Sequence, residues 1–362
     1  MRKTLTGLVA AGLMLALAAC GSDAKTDGVY ANQGATIGIT LPSRVQARWI
    51  ADGKNMTQQF TAMGYKVNLQ FGDDDAAKQQ KQVQNMVDQD NKLLVIGAVD
   101  GSSLTKQLAA AAKKKIPVIA YDRLITKTKD VGYQATFDNN RVGVLQGQLL
   151  VDRLGLSSNK SGPFTIELFA GDVGDVNAKS FYDGAMSVLQ PYFDSNDLKI
   201  RSGQKDFKVV TTAKYDGPTA GKRLKNLLDT YYQDDKLDAI LSANDGMAQG
   251  MIKTLKANGY GSGGKSLPFI SGQDAEATSV KSIIRNEQTG TIYKDTRELA
   301  KVAVQQGNAL LTGSRPMIND RKSFNNGVKI VPTYLLYPVA VDKLNYQKLL
   351  VDGGYYEPGD LK

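Results

Sequence analysis

Residues 93–123 read LLVIGAVDGSSLTKQLAAAAKKKIPVIAYDR, and their pattern indicates the architecture of the chain. An apolar run of strand length at 93–96 is followed by a helix-like segment at 102–115 and a second apolar run at 117–121. Two strands separated by one helix are typical of a right-handed βαβ unit, whose strands lie parallel in one sheet. The stretch therefore predicts an α/β fold.

The same alternation continues in both directions along the chain. Strands are predicted at 36–40, 66–71, 133–137, 164–169, 239–241, 269–270 and 291–293, with helical segments at 46–63 and 76–89 and between most of the later strands. Repetition of this pattern predicts parallel sheets, and ligands of such sheets bind beyond the carboxyl ends of the strands.

Length and charge narrow the class of protein. The chain has 362 residues, more than the roughly 250–300 at which one hydrophobic core usually stops growing, so we expect two lobes. The formal charge is +9, but the densest basic run, 113–115, ends a helix-like segment, where it complements the helix dipole. No basic stripe alternates with aromatic residues, so we expect no nucleic-acid partner.

Histidine is absent and cysteine occurs once, at Cys20. Ser-His and Cys-His catalysis are therefore excluded, a typical zinc site is not expected, and no intramolecular disulfide can form. We predict no catalytic residue, no metal and no cofactor. A glycosidase that uses carboxylates alone is the enzyme alternative.

The first 20 residues have the pattern of a secretory signal. Arg2 and Lys3 precede an apolar stretch at 8–19, which is shorter than the roughly 20 residues of a membrane-spanning helix. Leu17-Ala18-Ala19-Cys20 resembles a bacterial lipobox, so we expect a signal peptide at 1–19 and lipidation of Cys20. The small and polar segment 20–34 is predicted to be a flexible tether. The folded part is expected outside the cytoplasm, anchored by lipid to the cell membrane.

Polar or aromatic side chains follow nearly every predicted strand. They include Arg48, Trp49, Asp122, Arg123, Asp138, Asn139, Asn177, Asn244, Asp245, Asp274 and Lys294. A single polar residue at such a position is often a helix N-cap, but arginine and lysine cannot fill that role. Carboxylates, amides and a guanidinium can pair with adjacent hydroxyls, and an aromatic face can cover C–H edges. The pattern predicts a polar pocket for a small polyhydroxylated molecule.

Two motifs could suggest a nucleotide-binding loop and a cation site, but each has a simpler interpretation. Residues 259–266 satisfy the P-loop pattern, but a helical segment precedes them and a strand follows, which is the reverse of a phosphate-binding loop. We therefore predict a helix-to-strand loop with glycine at the helix end. The acidic run 73–75 is predicted to begin a helix, where negative charge complements the dipole.

Several ordered blocks of sequence resemble one known family. The blocks are Ala47-Arg48-Trp49, Ala120-Tyr121-Asp122-Arg123-Leu124, Thr136-Phe137-Asp138-Asn139, Asn244-Asp245-Gly246, Ser271-Gly272-Gln273-Asp274-Ala275 and Ile292-Tyr293-Lys294. They resemble the xylose-binding and multiple-sugar-binding proteins of bacterial ABC transporters, from about residue 36 to residue 355. The resemblance implies a type I periplasmic-binding-protein fold, with two doubly wound parallel-sheet lobes joined by a three-segment hinge.

The same resemblance implies the lobe boundaries and the sugar contacts. The first lobe would comprise 35–138 and 295–328, and the second 139–294 and 329–362, with hinges near 138–140, 293–295 and 327–335. The implied sugar-binding residues are Arg48, Trp49, Asp122, Arg123, Asn139, Asn177, Tyr215, Asn244, Asp245, Asp274 and Lys294, with Trp49 and Tyr215 as stacking residues. Relatives commonly have asparagine where this chain has Val176, and many have tryptophan in place of Tyr215.

The predicted function is delivery of a pentose or hexose to the permease of an ABC importer. The sugar would belong to the class of xylose, glucose, galactose, arabinose and fructose, and we expect a monomer. The alternative is a sensor of the same fold that presents its sugar to a chemoreceptor or a sensor kinase. A transcriptional regulator of the related fold is not favoured, because a leader takes the place of a helix-turn-helix before residue 36.

Overall fold

A computed structural model describes residues 32, 34–158 and 162–362 of the protein. The predicted signal peptide and Cys20 lie outside the described residues, as does the predicted tether except for residues 32 and 34. Within the described part, no helix is long and apolar enough to cross a membrane.

The described residues form twelve strands and ten α-helices. The strands are β1 (Thr36–Leu41), β2 (Lys66–Phe71), β3 (Leu93–Ile96), β4 (Val118–Tyr121), β5 (Tyr133–Phe137), β6 (Phe164–Phe169), β7 (Leu198–Lys199), β8 (Ala239–Ser242), β9 (Phe269–Ile270), β10 (Gly290–Tyr293), β11 (Thr333–Leu336) and β12 (Val339–Asp342). The helices are α1 (Ala47–Ala62), α2 (Ala76–Asp88), α3 (Thr105–Lys113), α4 (Asn139–Leu154), α5 (Val176–Asp194), α6 (Phe207–Val210), α7 (Gly217–Tyr231), α8 (Asp245–Ala257), α9 (Ala277–Ile284) and α10 (Thr296–Leu311). Every predicted strand is present, and its ends agree with the prediction within one residue.

The first lobe is built on a sheet of six parallel strands in the order β11-β5-β4-β3-β1-β2. The position of strand β3 in the middle of this sheet explains why its sequence is apolar throughout. Leu93 and Val95 join the core shared with α1 and α10, whereas Leu94 and Ile96 join the core on the opposite face, beside α2 and α3. A strand buried on both faces has no polar side. The predicted doubly wound parallel sheet is confirmed here.

The second lobe has a parallel sheet in the order β7-β6-β8-β9 and a separate two-stranded sheet of β10 and β12. The prediction of parallel sheets is wrong for this last pair, which is antiparallel. Its direction follows from the path of the chain. Strand β10 takes the chain out of the second lobe and β12 brings it back, so the two strands run in opposite directions.

The third crossing between the lobes lies later than predicted. The sequence prediction ended the first lobe at residue 328 and placed a hinge at 327–335. Strand β11, however, pairs with β5 in the first lobe's sheet, and Val331 is packed in the first lobe's core. The crossing therefore lies at 337–338, between β11 and β12, and residues 329–336 belong to the first lobe.

Helices α4 and α5 of the second lobe pack with their backbones almost in contact. A Cβ atom on Gly143 would lie 1.8 Å from the carbonyl oxygen of Phe181, and one on Gly184 would lie 2.1 Å from that of Asn140. Only glycine permits this approach. The packing brings the first turns of the two helices together, and with them Asn139 and Asn177.

The two motifs interpreted above have the predicted structures. Residues 259–266 lie between α8 and β9, with Gly259 in the left-handed region at φ 82° just beyond the end of α8. Asp75 caps helix α2 by accepting hydrogen bonds from the backbone N–H groups of Ala77 and Lys78. Asp73 forms ion pairs with Arg44 and Lys78.

Candidate ligand-binding site between the lobes

The ends of strands from both lobes meet around a small cavity. Its lining residues are Gln46, Arg48, Trp49, Asp122, Arg123, Asp175, Phe181, Tyr215, Asn244, Gln273, Asp274 and Lys294. Eight of the eleven residues that the resemblance implied as sugar contacts therefore lie together. These residues come from segments far apart in the sequence. They meet because the carboxyl ends of parallel strands lie at one edge of each sheet.

Arg48, on the first turn of α1, is the centre of a buried charge network. Its guanidinium Nη2 lies 3.0 Å from Asp52 Oδ2, one helical turn away, and 2.9 Å from Asp122 Oδ2. The hydroxyl of Tyr121 donates a hydrogen bond of 2.6 Å to Asp52 Oδ1. Arg48 Nη1 is 3.8 Å from Asp274 Oδ1, across the cleft. The guanidinium thus has a fixed orientation within the first lobe.

Arg123 follows Asp122 at the end of β4 and points across the cleft. Its Nε lies 3.3 Å from Oδ2 of Asp175, which belongs to the second lobe. Its Nη1 donates to the carbonyl of Ala98 at 3.1 Å, within the first lobe. Arg123 therefore reaches both sides of the cleft.

Both guanidiniums lie against the indole of Trp49. The Cζ atoms of Arg48 and Arg123 are 4.1 Å and 5.4 Å from the ring centroid, distances typical of cation–π contacts. The indole N–H donates to Gln46 at 3.1 Å, and the residue is 1% exposed. Trp49 positions the two cations, and its stacking on a sugar stays a prediction.

Tyr215 forms the aromatic wall contributed by the second lobe. Its ring lies directly over Gly171, where a Cβ atom would come within 2.1 Å of the ring. Its hydroxyl donates to Asp175 Oδ2 at 2.8 Å. Tyr215 also has a left-handed backbone, with φ 55°, as do Asp122 at 61° and Asp274 at 94°. Such conformations are unfavourable for residues other than glycine and concentrate at functional sites.

Several buried polar atoms of this site have no hydrogen-bond partner. Within the described part of the chain nine buried side-chain atoms lack one, and four of them belong to the site: Arg123 Nε, Asn139 Oδ1, Gln273 Oε1 and Asp274 Oδ1. Two of the four face an opposite charge: Asp274 Oδ1 lies 3.1 Å from Lys294 Nζ, and Arg123 Nε lies 3.3 Å from Asp175 Oδ2. An unsatisfied buried polar atom costs about 1–3 kcal/mol, so the remaining oxygens, those of Asn139 and Gln273, mark groups available to a ligand.

The cavity enclosed by these side chains measures about 20 Å³, room for about one water molecule. In this arrangement the charged groups bond mainly to each other. A larger polar ligand fits only if those contacts are exchanged for contacts to the ligand. Its entry therefore requires the lobes to separate and the bonds between them to break.

The structure places Asn139 and Asn177 beside the cavity, in the lining of an adjoining groove of about 520 Å³. Both side chains are buried. Asn177 Nδ2 donates to Asp122 Oδ1 at 3.1 Å, which connects the second lobe to the first. Asn177 is therefore connected to the cavity by its bond to Asp122, and Asn139 has an oxygen without a hydrogen-bond partner beside it.

Asp245, unlike its neighbour Asn244, is not among the residues that line the cavity. Its Oδ1 accepts from Gln288 Nε2, and its Oδ2 accepts from the hydroxyl of Thr291 and the backbone N–H of Glu276. All of these partners lie in the second lobe, so Asp245 supports that lobe, and its contact with a sugar stays a prediction. The neighbouring Asn244 lines the cavity; its Oδ1 accepts from the backbone N–H of Met247 and caps helix α8, and its amide NH₂ group can donate to a ligand.

Burial and neighbouring charges shift the pKa values of the residues in this network. Burial would lower the pKa of Arg48, but Asp122 and Asp52 outweigh it and raise that pKa well above its ordinary value. Burial would raise the pKa of Asp122, yet Arg48 and Lys294 outweigh it and lower that pKa. For Asp52 burial dominates and raises the pKa to about 6. Arg48 and Asp122 are therefore both ionised at neutral pH.

Glu276 gives a prediction about pH. Burial and the nearby charge of Asp274 raise its pKa from 4.5 to about 7, and its carboxylate has no ion pair among the described residues. The folded state then holds this proton more tightly than the unfolded state, so the free energy of unfolding should fall as pH rises from 4.5 to 7. Glu276→Gln should stabilise the protein by on the order of 2 kcal/mol at pH 8 and by little at pH 4.

Urea denaturation of the wild type and of Glu276→Gln at both pH values measures this difference. A stability difference that is the same at pH 4 and pH 8 would contradict the assignment.

The sequence predictions missed several residues of the site. Asp52 and Tyr121 orient Arg48, and a signal for Asp52 was present in its spacing of four residues from Arg48 on one helix. Gln46, Asp175, Phe181 and Gln273 also line the cavity. Three of these lie within two residues of a predicted contact in the sequence, whereas Phe181 lies inside a helix with no local sign of its role.

Comparisons with known proteins agree with this architecture. A model of the periplasmic binding protein domain matches residues 37–315. The chain is 52% identical over 349 residues to the multiple sugar-binding periplasmic receptor ChvE of Rhizobium radiobacter, a match that covers 96% of this chain and 98% of that protein. It is 33% identical over 328 residues to the D-xylose-binding periplasmic protein of Escherichia coli, covering 90% of this chain and 92% of that protein.

Solved structures give the same result. An ABC transporter solute binding protein from Clostridium phytofermentans with bound β-D-glucose has a TM-score of 0.86 and 43% sequence identity, over 90% of this chain and all of that one. A carbohydrate transporter solute binding protein from Chloroflexus aurantiacus in complex with D-glucose has a TM-score of 0.81 and 32% identity, over 90% of this chain and 97% of that one. With two α/β lobes and a polar cluster between them, the chain belongs to the periplasmic binding protein family.

Proposed function

We propose that this protein binds a monosaccharide between its lobes and delivers it to an ABC importer. The observation that carries the proposal is the buried cluster around Arg48 and Arg123, with the unpaired oxygens of Asn139 and Gln273 and three aromatic residues, Trp49, Phe181 and Tyr215. Carboxylates, amides and guanidiniums can each pair with adjacent sugar hydroxyls, and the aromatic faces can cover the C–H edges of the ring. The sugars named with the relatives, glucose and xylose, have this chemistry.

The ligand we propose is a pentose or a hexose, in the class of xylose, glucose, galactose, arabinose and fructose. The protein acts as a receptor and not as an enzyme. A glycosidase requires a protonated carboxyl group facing the substrate. Three carboxylates line the cavity, those of Asp122, Asp175 and Asp274, and each is ion-paired, with Arg48, Arg123 and Lys294 respectively. The pKa of Asp122 is lowered, so it is a poor proton donor, and among the described residues no unpaired carboxyl group lines the cavity. The relatives named as sugar-binding receptors support the same view.

Calorimetric titration with xylose, glucose, galactose, arabinose, ribose and fructose tests the proposal. We expect a saturable heat with at least one of these sugars, at one molecule per chain. The absence of heat with all of them would overturn it. Uptake of the bound sugar by a deletion strain tests delivery, and unchanged uptake would favour the sensor function instead.

We further propose that the protein works outside the cytoplasm as a monomer anchored by lipid on Cys20. Relatives named as periplasmic support the location, and the lipobox-like residues 17–20 support the anchor. Stable attachment takes about two acyl chains, and both would be attached at this residue. Cys20→Ser should therefore move the protein from the membrane fraction to the soluble fraction. Fractionation followed by immunoblotting measures this, and unchanged membrane association would contradict the anchor.

A further inference from the structure

The two arginines of the site are held by similar sets of residues. Each guanidinium lies against Trp49 and faces an aspartate. In each case a tyrosine hydroxyl donates a hydrogen bond to that aspartate. For Arg48 the pair is Asp52 and Tyr121. For Arg123 it is Asp175 and Tyr215. The chain therefore contains the same arrangement twice.

The two arrangements differ in how they relate to the lobes. Arg48, Asp52 and Tyr121 all belong to the first lobe, on α1 and β4. Arg123 belongs to the first lobe too, but its aspartate and tyrosine belong to the second. Movement of one lobe against the other leaves the first set intact. The same movement separates Arg123 from Asp175.

We infer that Asp175 is a closure latch, which positions Arg123 only when the lobes are together, whereas Asp52 positions Arg48 in either arrangement. The inference rests on the proposed function, because it takes a sugar as the ligand that both guanidiniums contact. Asp175 is thus a positioning residue that acts through Arg123. The Asn177–Asp122 hydrogen bond spans the cleft beside Asp175 and also holds the two lobes together.

The two oxygens of Asp175 have separate tasks. Oδ1 accepts from the backbone N–H of Asn177 and caps helix α5. Oδ2 accepts from Tyr215 and faces Arg123. The cap and the hydroxyl fix the carboxylate in the second lobe before the lobes meet. Its side chain is 5% exposed and that of Arg123 is 8%, so separation of the pair requires both charges to be rehydrated.

Asp175→Asn is the informative variant. Asparagine caps a helix as well as aspartate does, so α5 is kept. The charge that faces Arg123 is lost. The latch is formed whenever the lobes are together, so its loss should destabilise the closed arrangement with or without sugar. The dissociation rate should rise, while the association rate, which depends on the open arrangement, should stay nearly unchanged. We expect dissociation to be at least about tenfold faster, with association within about threefold.

The control is Asp52→Asn, the same change in the set that lies within one lobe. Stopped-flow fluorescence of Trp49, the single tryptophan of the chain, gives both rate constants. Small-angle X-ray scattering without sugar gives the separation of the lobes. Asp175→Asn should increase the radius of gyration. Asp52→Asn should weaken sugar binding and leave the radius of gyration unchanged. Tyr215→Phe, which keeps the ring, should act like Asp175→Asn with a smaller effect.

The inference is overturned if Asp175→Asn leaves both the dissociation rate and the scattering unchanged. It is also overturned if Asp52→Asn opens the lobes to the same extent. Failure of the proposed function looks different. In that case the wild type binds none of the sugars, while the scattering comparison of the two variants still decides whether Asp175 holds the lobes together.

Discussion

Replacing Arg123 by alanine is expected to weaken sugar binding by about 2–5 kcal/mol, which corresponds to a loss of roughly 30-fold to several thousandfold in affinity. The guanidinium is almost fully buried and faces Asp175 across the cleft at 3.3 Å. Its removal takes away a charged donor to the ligand and also leaves Asp175 without its counter-ion. Both effects act against the closed, ligand-bound arrangement.

Calorimetry on the wild type and on Arg123→Ala measures this loss. Arg153→Ala is the matched control, because Arg153 pairs with Asp342 at 3.0 Å with a side chain that is 41% exposed. A surface pair of this kind contributes about 0–1 kcal/mol, and it lies outside the cavity lining. An affinity of Arg123→Ala within threefold of wild type would show that Arg123 does not contact the ligand.

Gly143→Ala is expected to lower the free energy of unfolding by at least about 3 kcal/mol, although only one methyl group is added. The new Cβ atom would lie 1.8 Å from the carbonyl oxygen of Phe181 and 2.7 Å from the backbone nitrogen of Ala185. Both contacts are with the backbone of α5, which no side-chain rotation can relieve. The two helices must move apart, and Asn139 and Asn177 move with them.

Urea denaturation measures the change, with Gly359→Ala as the control, since a Cβ atom at Gly359 meets nothing within 4 Å. The control should stay within about 0.5 kcal/mol of wild type. Equal stabilities for the two variants would mean that α4 and α5 do not pack as described.

Much of the fold could be predicted because central strands such as β3, β4 and β8 are buried on both faces. Continuous apolar runs such as Leu93 to Ile96 mark a strand without any long-range information. Strand β11 was missed for the opposite reason. It lies at the edge of the first sheet, and three of its four residues are only partly buried. Its sequence, Thr333-Tyr334-Leu335-Leu336, is nevertheless typical of a strand, and that signal could have placed the third crossing correctly.

The site could be predicted in part because ligand groups in α/β proteins follow strand ends. Position alone, however, does not give the direction of a side chain. Asn244 and Asp245 are adjacent, yet one lines the cavity and the other bonds to Gln288 and Thr291 within the second lobe. The Tyr121–Asp52 bond joins residues 69 positions apart. A contact of that kind depends on how α1 packs against the sheet, which local sequence does not determine.

The cluster between the lobes is proposed to bind a monosaccharide. The most direct measurement is a titration of Trp49 fluorescence with the sugar panel, because this single tryptophan lies in the cluster beneath Arg48 and Arg123. We expect a saturable change in emission with at least one pentose or hexose, at one sugar per chain, and a strongly weakened response in Arg123→Ala. Emission that no sugar changes, or calorimetric binding that leaves Trp49 emission unaltered, would contradict this proposal.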